Sequence, residues 1–367
     1  MLVLMVACGA NGLGDGAADA EPIADVDATA QQDAVGDASV GDASVRDASV
    51  GDASIRDVGP VSCDQQEIGP DDDIFEIEGE RIKYESGFVY LCVDGSWVYV
   101  QDMRGPWFGR FTVEKDGDDC TMTAVSDGTT QTFVGNFSDD FEDLIDIYDL
   151  FAVERWNTLL MQSPLANTIP ETNALASSIM QGGSFLDNRV EVVTNIVHSG
   201  TQALKFTAVA PDPGEVSKAM LEKRNLCYTK GDDFWHSGWY YSEGANPSTV
   251  GDLESMEITF SPGPRVYIND NGYALVELKF ADKPKYTQQV ALWPTHQWVH
   301  LKLHYRLSQQ DDGLIEMWID DTQVLSVSGR NLPLHDSVLH RFSLGITATD
   351  EHTVLYVDDI QLSRHPL

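Results

Sequence analysis

From Phe185 to the C-terminus, apolar and polar residues alternate with a period of two through about a dozen short runs, among them VEVVTNIV, TQALKFTAVA, FWHSGWYYSE, QWVHLKLHYRLS, HRFSLGITA and HTVLYVDDIQLS. Gly, Asp, Asn and Pro separate the runs. A period of two belongs to strands with one buried face, whereas a helix would repeat every 3.6 residues. This many strands exceeds what one open sheet holds without curling, so two packed antiparallel sheets are expected. The fold class is therefore mainly β, with an antiparallel jelly-roll β-sandwich spanning 164–367.

Upstream, residues 61–133 read as a small N-terminal β domain, with Asp94-Gly95 turning a hairpin. A core of that size is marginal, so a disulfide within the group Cys63, Cys92 and Cys120 is expected, Cys92 to Cys120 being one such staple. Cys227 is then either buried and free or paired with the cysteine left over. Residues 138–163 place Phe141, Leu144, Ile145, Tyr148, Phe151, Trp156, Leu159 and Leu160 near one helical face, with acids in the first turn, which predicts a linking helix ending before Pro164.

Residues 9–60 are almost entirely Asp, Ala, Gly, Val and Ser, with the unit GDASV recurring from Asp37 every five residues. One Val or Ile per unit does not offset ordering entropy, so this stretch is expected to be a disordered acidic stalk. Over the whole chain, 23 Lys plus Arg face 59 Asp plus Glu, a formal charge of −36. Such a balance repels phosphate backbones and anionic lipid, which excludes nucleic acid as a partner. Residues 1–8, MLVLMVAC, resemble a bacterial lipoprotein signal whose Cys8 is lipidated. That implies an exported protein anchored to the cell envelope or surface through lipid alone.

The run from Trp298 to Ser326, a tryptophan-led strand, a Gly turn and a strand ending in Asp-Asp, resembles the hairpin of concanavalin A-like domains. With HSGTQALKF and SKAMLEKRNLC before it, the strand order is most similar to that of heparin-lyase-type polysaccharide lyases, over roughly 185–364. The resemblance implies β-elimination, in which a cation or amide neutralises a uronate carboxylate and a base, commonly Tyr or His, takes the neighbouring proton. In those lyases the strand after the long hairpin reads FKxGxYR. Here it reads FSLGIT, with Ser343 and Thr347 at the Lys and Tyr places. Lys218, Glu222, Lys223 and Arg224 correspond loosely to the family's Arg and Glu strand.

Candidate catalytic residues are His236, Tyr240 and Lys218, and candidate substrate-binding residues are Glu222, Lys279, His300, Lys302 and His304. His236 and Tyr240 share one face of their strand and Trp235, Trp239 and Tyr241 the other; which face is core stays open at this point. In WVHLKLHYR, Val299, Leu301, Leu303 and Tyr305 are expected inward, leaving a basic outer stripe. Paired carboxylates for glycosidase chemistry are missing, since Glu254 and Glu257 point to opposite faces. No organic cofactor is implied. The terminal VDDIQL strand resembles end strands in which an acid, here Asp358, helps hold a structural Ca²⁺. The leading expectation is a surface-anchored glycan-binding or adhesive sandwich; the alternative is a polysaccharide lyase acting on a uronate-containing polymer, and a third reading is a structural module that contacts other surface proteins.

Overall fold

The computed structural model describes residue 63, strand residues between 73 and 102, and residues 111–152, 155–244, 249–255, 263–279, 285–310, 312–333 and 337–367. Cys8, the stretch 9–60, Trp107, Phe108 and Glu257 lie outside the described residues. Four strands, β1 (Asp73–Ile77), β2 (Glu80–Glu85), β3 (Phe88–Val93) and β4 (Ser96–Asp102), form an antiparallel meander. A separate three-stranded sheet follows from β5 (Phe111–Asp116), β6 (Asp119–Ala124) and β7 (Thr130–Phe133). Then come β8 (Phe137–Asp139), α1 (Asp149–Ala152), β9 (Thr158–Gln162) and α2 (Ile169–Met180).

The remaining strands are β10 (Arg189–Val193), β11 (Ala203–Ala208), β12 (Ser217–Lys223), β13 (Asp233–Gly244), β14 (Thr249–Ser255), β15 (Pro264–Ile268) and β16 (Tyr273–Leu278), then β17 (Lys285–Leu292), β18 (Trp298–Arg306), β19 (Leu314–Ile319), β20 (Thr322–Ser328), β21 (Leu339–Thr349) and β22 (Thr353–Ser363). They build two antiparallel sheets. One runs β10-β11-β22-β13-β18-β19-β20, with β8 also on β22, and the other β17-β16-β15-β14-β21-β12-β9. Between them lies one continuous core to which both sheets contribute alternate residues, for example Phe206, Tyr240, Leu301 and Val357 from the first and Leu221, Leu253, Val276 and Leu344 from the second. The expected mainly β sandwich is thus the observed fold. Gly345 marks a close approach inside it. Its φ is +111°, and a Cβ there would sit 2.6 Å from the Phe206 ring, so only glycine lets β21 pass beneath β11.

Three local expectations are corrected. Residues 138–163 do not form a linking helix. The aspartates there capture nearby backbone N–H groups, Phe141 N donating to Asp139 Oδ1 (2.9 Å), Ile145 N to Asp149 Oδ2 (2.7 Å) and Tyr148 N to Asp146 Oδ1 (2.8 Å). Such bonds compete with the helical ladder, and Phe141 and Asp143 adopt φ of +59° and +62°. Phe141, Leu144, Leu150 and Trp156 are still buried, but Ile145, assigned to the same stripe, is 91% exposed. The segment keeps only the four-residue α1, and the longer helix among the described residues is α2, which packs on β9 and starts with a capping box between Thr168 and Glu171.

The second concerns the cysteines: one pair does form within the group of three, as Cys63–Cys92, and Cys227 does take the cysteine left over, as Cys120–Cys227, so only the example of Cys92 to Cys120 is corrected. Cys120, Met122, Phe133, Cys227 and Val338 form a small core of their own, so β5–β7 is joined to the sandwich instead of to a domain ending at 133. Thirdly, the alternating run ESMEITFS predicts a strand over 254–261, whereas β14 begins at Thr249, and every one of its residues is buried. Among the described residues no helix is long and apolar enough to cross a membrane. Cys120 and Cys227 close a loop of 107 residues. Replacing both by alanine is expected to lower stability in denaturant unfolding by about 2–5 kcal/mol, because the unfolded chain regains that loop entropy; an unchanged midpoint would contradict the pairing.

Candidate functional site

The strands of the seven-stranded sheet alternate, and alternation sorts their side chains onto two faces. Ala219 and Leu221 of β12, Leu253 of β14, Val266 of β15, Val276 of β16 and Phe342 and Leu344 of β21 enter the core. Their neighbours in sequence therefore face away from it. Register aligns these neighbours: Glu222 stands opposite Ser343, Ser343 opposite Asp252, Asp252 opposite Arg265, and Arg265 opposite Glu277. The result is a polar row crossing five adjacent strands. One step along, Arg341 stands opposite Glu254, and Lys279 follows the end of β16. Lys218 and Tyr267 lie on the same face, as the alternation of β12 and β15 requires.

Most of these charges are matched. Arg224 Nε donates to Glu222 Oε2 at 2.9 Å, and Arg341 pairs with Glu254 and, at 3.5 Å, with Glu222. Arg265 pairs with Glu277. Lys279 Nζ lies 3.7 Å from Asp252 and 3.6 Å from Glu254. Burial works to raise the Glu222 carboxyl, and the Arg341 and Arg224 guanidiniums outweigh it, holding it below the usual range. Burial pulls the Lys218 and Lys279 ammoniums below the ordinary lysine range, with Asp252 pulling each the other way. Lys218 alone of these cations makes no ion pair with a described residue. Three buried polar atoms on this face also lack a hydrogen-bond partner: Asp252 Oδ1, Ser343 Oγ and Arg341 Nε. Orphaned buried groups are uncommon in native proteins, and these three lie on neighbouring strands.

The sequence-derived candidates fall in three different places. Lys218, Glu222 and Lys279 share the polar face. His236 and Tyr240 lie in the core between the sheets, 1% and 0% exposed, with His236 Nε2 and Tyr240 Oη 2.8 Å apart. Burial lowers the imidazole to about 3 and pushes the phenol up. Sealed there, they neither reach solvent nor meet Lys218. The face of β13 left open by sequence is now fixed, Trp235, Trp239 and Tyr241 pointing outward.

His300, Lys302 and His304 lie on the outer face of the eight-stranded sheet, separated from the polar row by the whole sandwich. There His304 Nδ1 meets Glu316 at 2.8 Å and its Nε2 meets Asp233 at 2.7 Å, while its ring stacks on Trp235. His300 stacks on Trp239 and its Nε2 contacts Ser237 Oγ at 2.7 Å; Lys302 sits over Trp318. Acids and indoles thus already engage the stripe. Asp358 accepts N–H groups on both oxygens, from His198 (2.9 Å), Ser199 (3.2 Å) and Asp359 (2.9 Å). Burial, more than any other influence, pushes its carboxyl up to about 6. Backbone N–H groups thus engage this carboxyl, and among the described residues no group of three or more His, Cys, Asp or Glu is placed to hold a metal.

Sequence reasoning missed Asp252, Arg265, Glu277 and Arg341. Only their alternation with core residues could have pointed to them.

A family profile described as polysaccharide lyase matches residues 170–361, more than half of the chain. The fold is similar to that of an endo-β-1,4-glucuronan lyase from the fungus Trichoderma reesei, at 15% identity over 48% of this chain and 87% of that one, with a TM-score of 0.41. It is also similar to the cellulose induced protein Cip1, at 14% identity over 63% and 98% of the two chains and a TM-score of 0.43. The alginate lyase Aly36B, solved with an alginate trisaccharide, aligns at 9% identity over 63% and 98%, with a TM-score of 0.39. No curated protein sequence matches the chain.

Arg341 joins two strands' carboxylates from the strand between them. Arg341→Ala would leave Glu222 and Glu254 buried with one partner fewer each, and is expected to lower stability in denaturant unfolding by about 3–5 kcal/mol. A loss under about 1 kcal/mol would mean the network does not hold this face together.

Proposed function

The chain belongs to the polysaccharide lyase family, and on that premise we propose that it cleaves a uronate-containing polysaccharide by β-elimination on the polar face of the seven-stranded sheet. The observation that carries this reading is Lys218, a partly buried ammonium with no ion pair among the described residues, set beside orphaned Asp252 and Ser343. In β-elimination a base removes the proton from the carbon that bears the carboxylate, the electron pair left behind forms a double bond to the neighbouring carbon, the bond from that neighbour to the glycosidic oxygen breaks, and the departing oxygen takes a proton. The barrier lies in the negative charge that builds on the carboxylate, and a fixed cation in a partly desolvated site lowers it.

Lys218 supplies that cation. For proton transfer the half-buried phenol of Tyr267 is on the correct face, next to Arg265, whose guanidinium lies 5.9 Å from the ring centre. The backbones of Lys218 and Tyr267 are three strand steps apart, about 14 Å at ordinary strand spacing, a gap that a sugar ring between the two side chains would fill. Glycan binding without turnover is the second reading. It is favoured by Ser343 and Thr347, which stand where the resembling lyases carry Lys and Tyr.

The location belongs to the same proposal. Two disulfides persist only in an oxidising compartment, which supports export, and the N-terminal pattern ending at Cys8 supports tethering by lipid. The test is the ultraviolet absorbance of unsaturated products released from a panel of polyuronates. Lys218→Ala and Tyr267→Phe are each expected to lower kcat/KM by about a hundredfold or more with melting unchanged. Turnover that survives both substitutions would place the chemistry elsewhere, and retention of polymer without product would favour the second reading.

A further inference from the structure

The charges on the polar face restrict the substrate beyond its being a uronate. Of the five cations whose side chains are described there, four, Arg224, Arg265, Lys279 and Arg341, are already neutralised by Glu222, Asp252, Glu254 and Glu277. Among the described side chains Lys218 is the one that remains to meet an anion of the ligand. A glycan bearing sulfates as well as carboxylates would find no further unpaired cation among these described side chains, so its additional charges would lose their water without gaining a counter-ion.

The two orphaned oxygens add a second requirement. Asp252 and Ser343 stand opposite each other on β14 and β21, both buried, with Asp252 Oδ1 and Ser343 Oγ unpartnered. A carboxylate oxygen only accepts hydrogen bonds, so its complement is a donor. On a glycan that donor is a free hydroxyl. An O-sulfated or O-acetylated position has lost the hydrogen, and a sulfate adds a charge beside Asp252.

Building on the lyase reading, we infer that the site is selective for an unsulfated polyuronate carrying one carboxylate per sugar unit, and that Asp252 with Ser343 is the specificity-determining pair, reading a free sugar hydroxyl beside the carboxylate held by Lys218. Arg341 serves this pair as a positioning residue, since it fixes β21 against β14 through Glu254. Thr249 and Thr347, hydrogen-bonded to each other through their hydroxyls on the same two strands, provide a second tie.

The experiment compares a polyglucuronate with its own chemically O-sulfated derivative, using the full chain, by unsaturated-product absorbance and in parallel by retention on the immobilised polymers. The parent polymer is expected to be turned over with a kcat/KM on the order of a hundredfold above that of the derivative. Asp252→Asn, which removes the charge and keeps an acceptor, is expected to shrink that ratio to below about tenfold; Ser343→Ala, with nothing bulky added, serves if the first variant folds poorly. Equal or faster turnover of the sulfated polymer overturns the inference. If no product forms from either polymer, the lyase reading fails by itself and binding decides. Preferential retention of the parent, reduced in Asp252→Asn, then upholds the selectivity, whereas equal retention, preference for the sulfated form, or no retention of either overturns it.

Discussion

Arg341 holds the functional face together. It sits on β21, between β12 and β14, and its guanidinium joins Glu254 to Glu222. Burial pulls this guanidinium below its ordinary value while Glu222 opposes the pull, so the arrangement persists only because the partners are fixed on adjacent strands. Buried ion networks contribute little net stability compared with apolar packing, yet they are costly to break from one side. Their usefulness here is geometric. Three adjacent strands carry side chains locked in one arrangement, and the neighbouring pairs Arg224–Glu222, Arg265–Glu277 and Lys279–Asp252 extend it across the sheet.

A rigid, nearly neutral lattice on a chain with a formal charge of −36 has a direct consequence for function. Long-range attraction does not bring an anionic polymer to this protein; what the face offers instead is local and specific. Among the described side chains one ammonium is left without an ion pair, and Asp252 Oδ1, Ser343 Oγ and Arg341 Nε are left without hydrogen-bond partners, while the other charges are paired. Preorganisation of that kind favours a charge that develops at one point, which is what β-elimination requires at the carboxylate. The opposite sheet presents the contrasting case. Its outer face carries His198, Trp239 and His300 in one stack and Trp235 with His304 in another, each histidine held by an acid or a hydroxyl, so its polar groups are spent on each other.

The sandwich was legible because a period of two survives in almost every strand, and Val299, Leu301, Leu303 and Tyr305 enter the core as the alternation of WVHLKLHYR requires. Lys218, Glu222 and Lys279 were also reachable, as charges on strands that alternate. Asp252 was not. The alternating run ESMEITFS begins beyond it, but β14 is a central strand buried on both faces, and tertiary packing overrides the local signal. Register was equally invisible: nothing in the sequence says that Ser343 stands beside Asp252, since that follows from which strands pair and by how much they slide. Residues 138–163 misled in the other direction, their apolar spacing suiting a helix while side-chain bonds from Asp139, Asp146 and Asp149 held the backbone in turns. The Thr168-x-x-Glu171 capping box, by contrast, was present in the sequence as a start signal for α2.

The most direct test of the account is where a glycan chain binds. Crystals of Lys218→Ala soaked with an oligoglucuronate would show it. The account predicts a sugar chain lying across β12, β21, β14 and β15, with a hydroxyl on Asp252 Oδ1 and a carboxylate toward the place vacated by the Lys218 ammonium. A chain lying instead along Trp239 and His300, on the outer face of the opposite sheet, would contradict it.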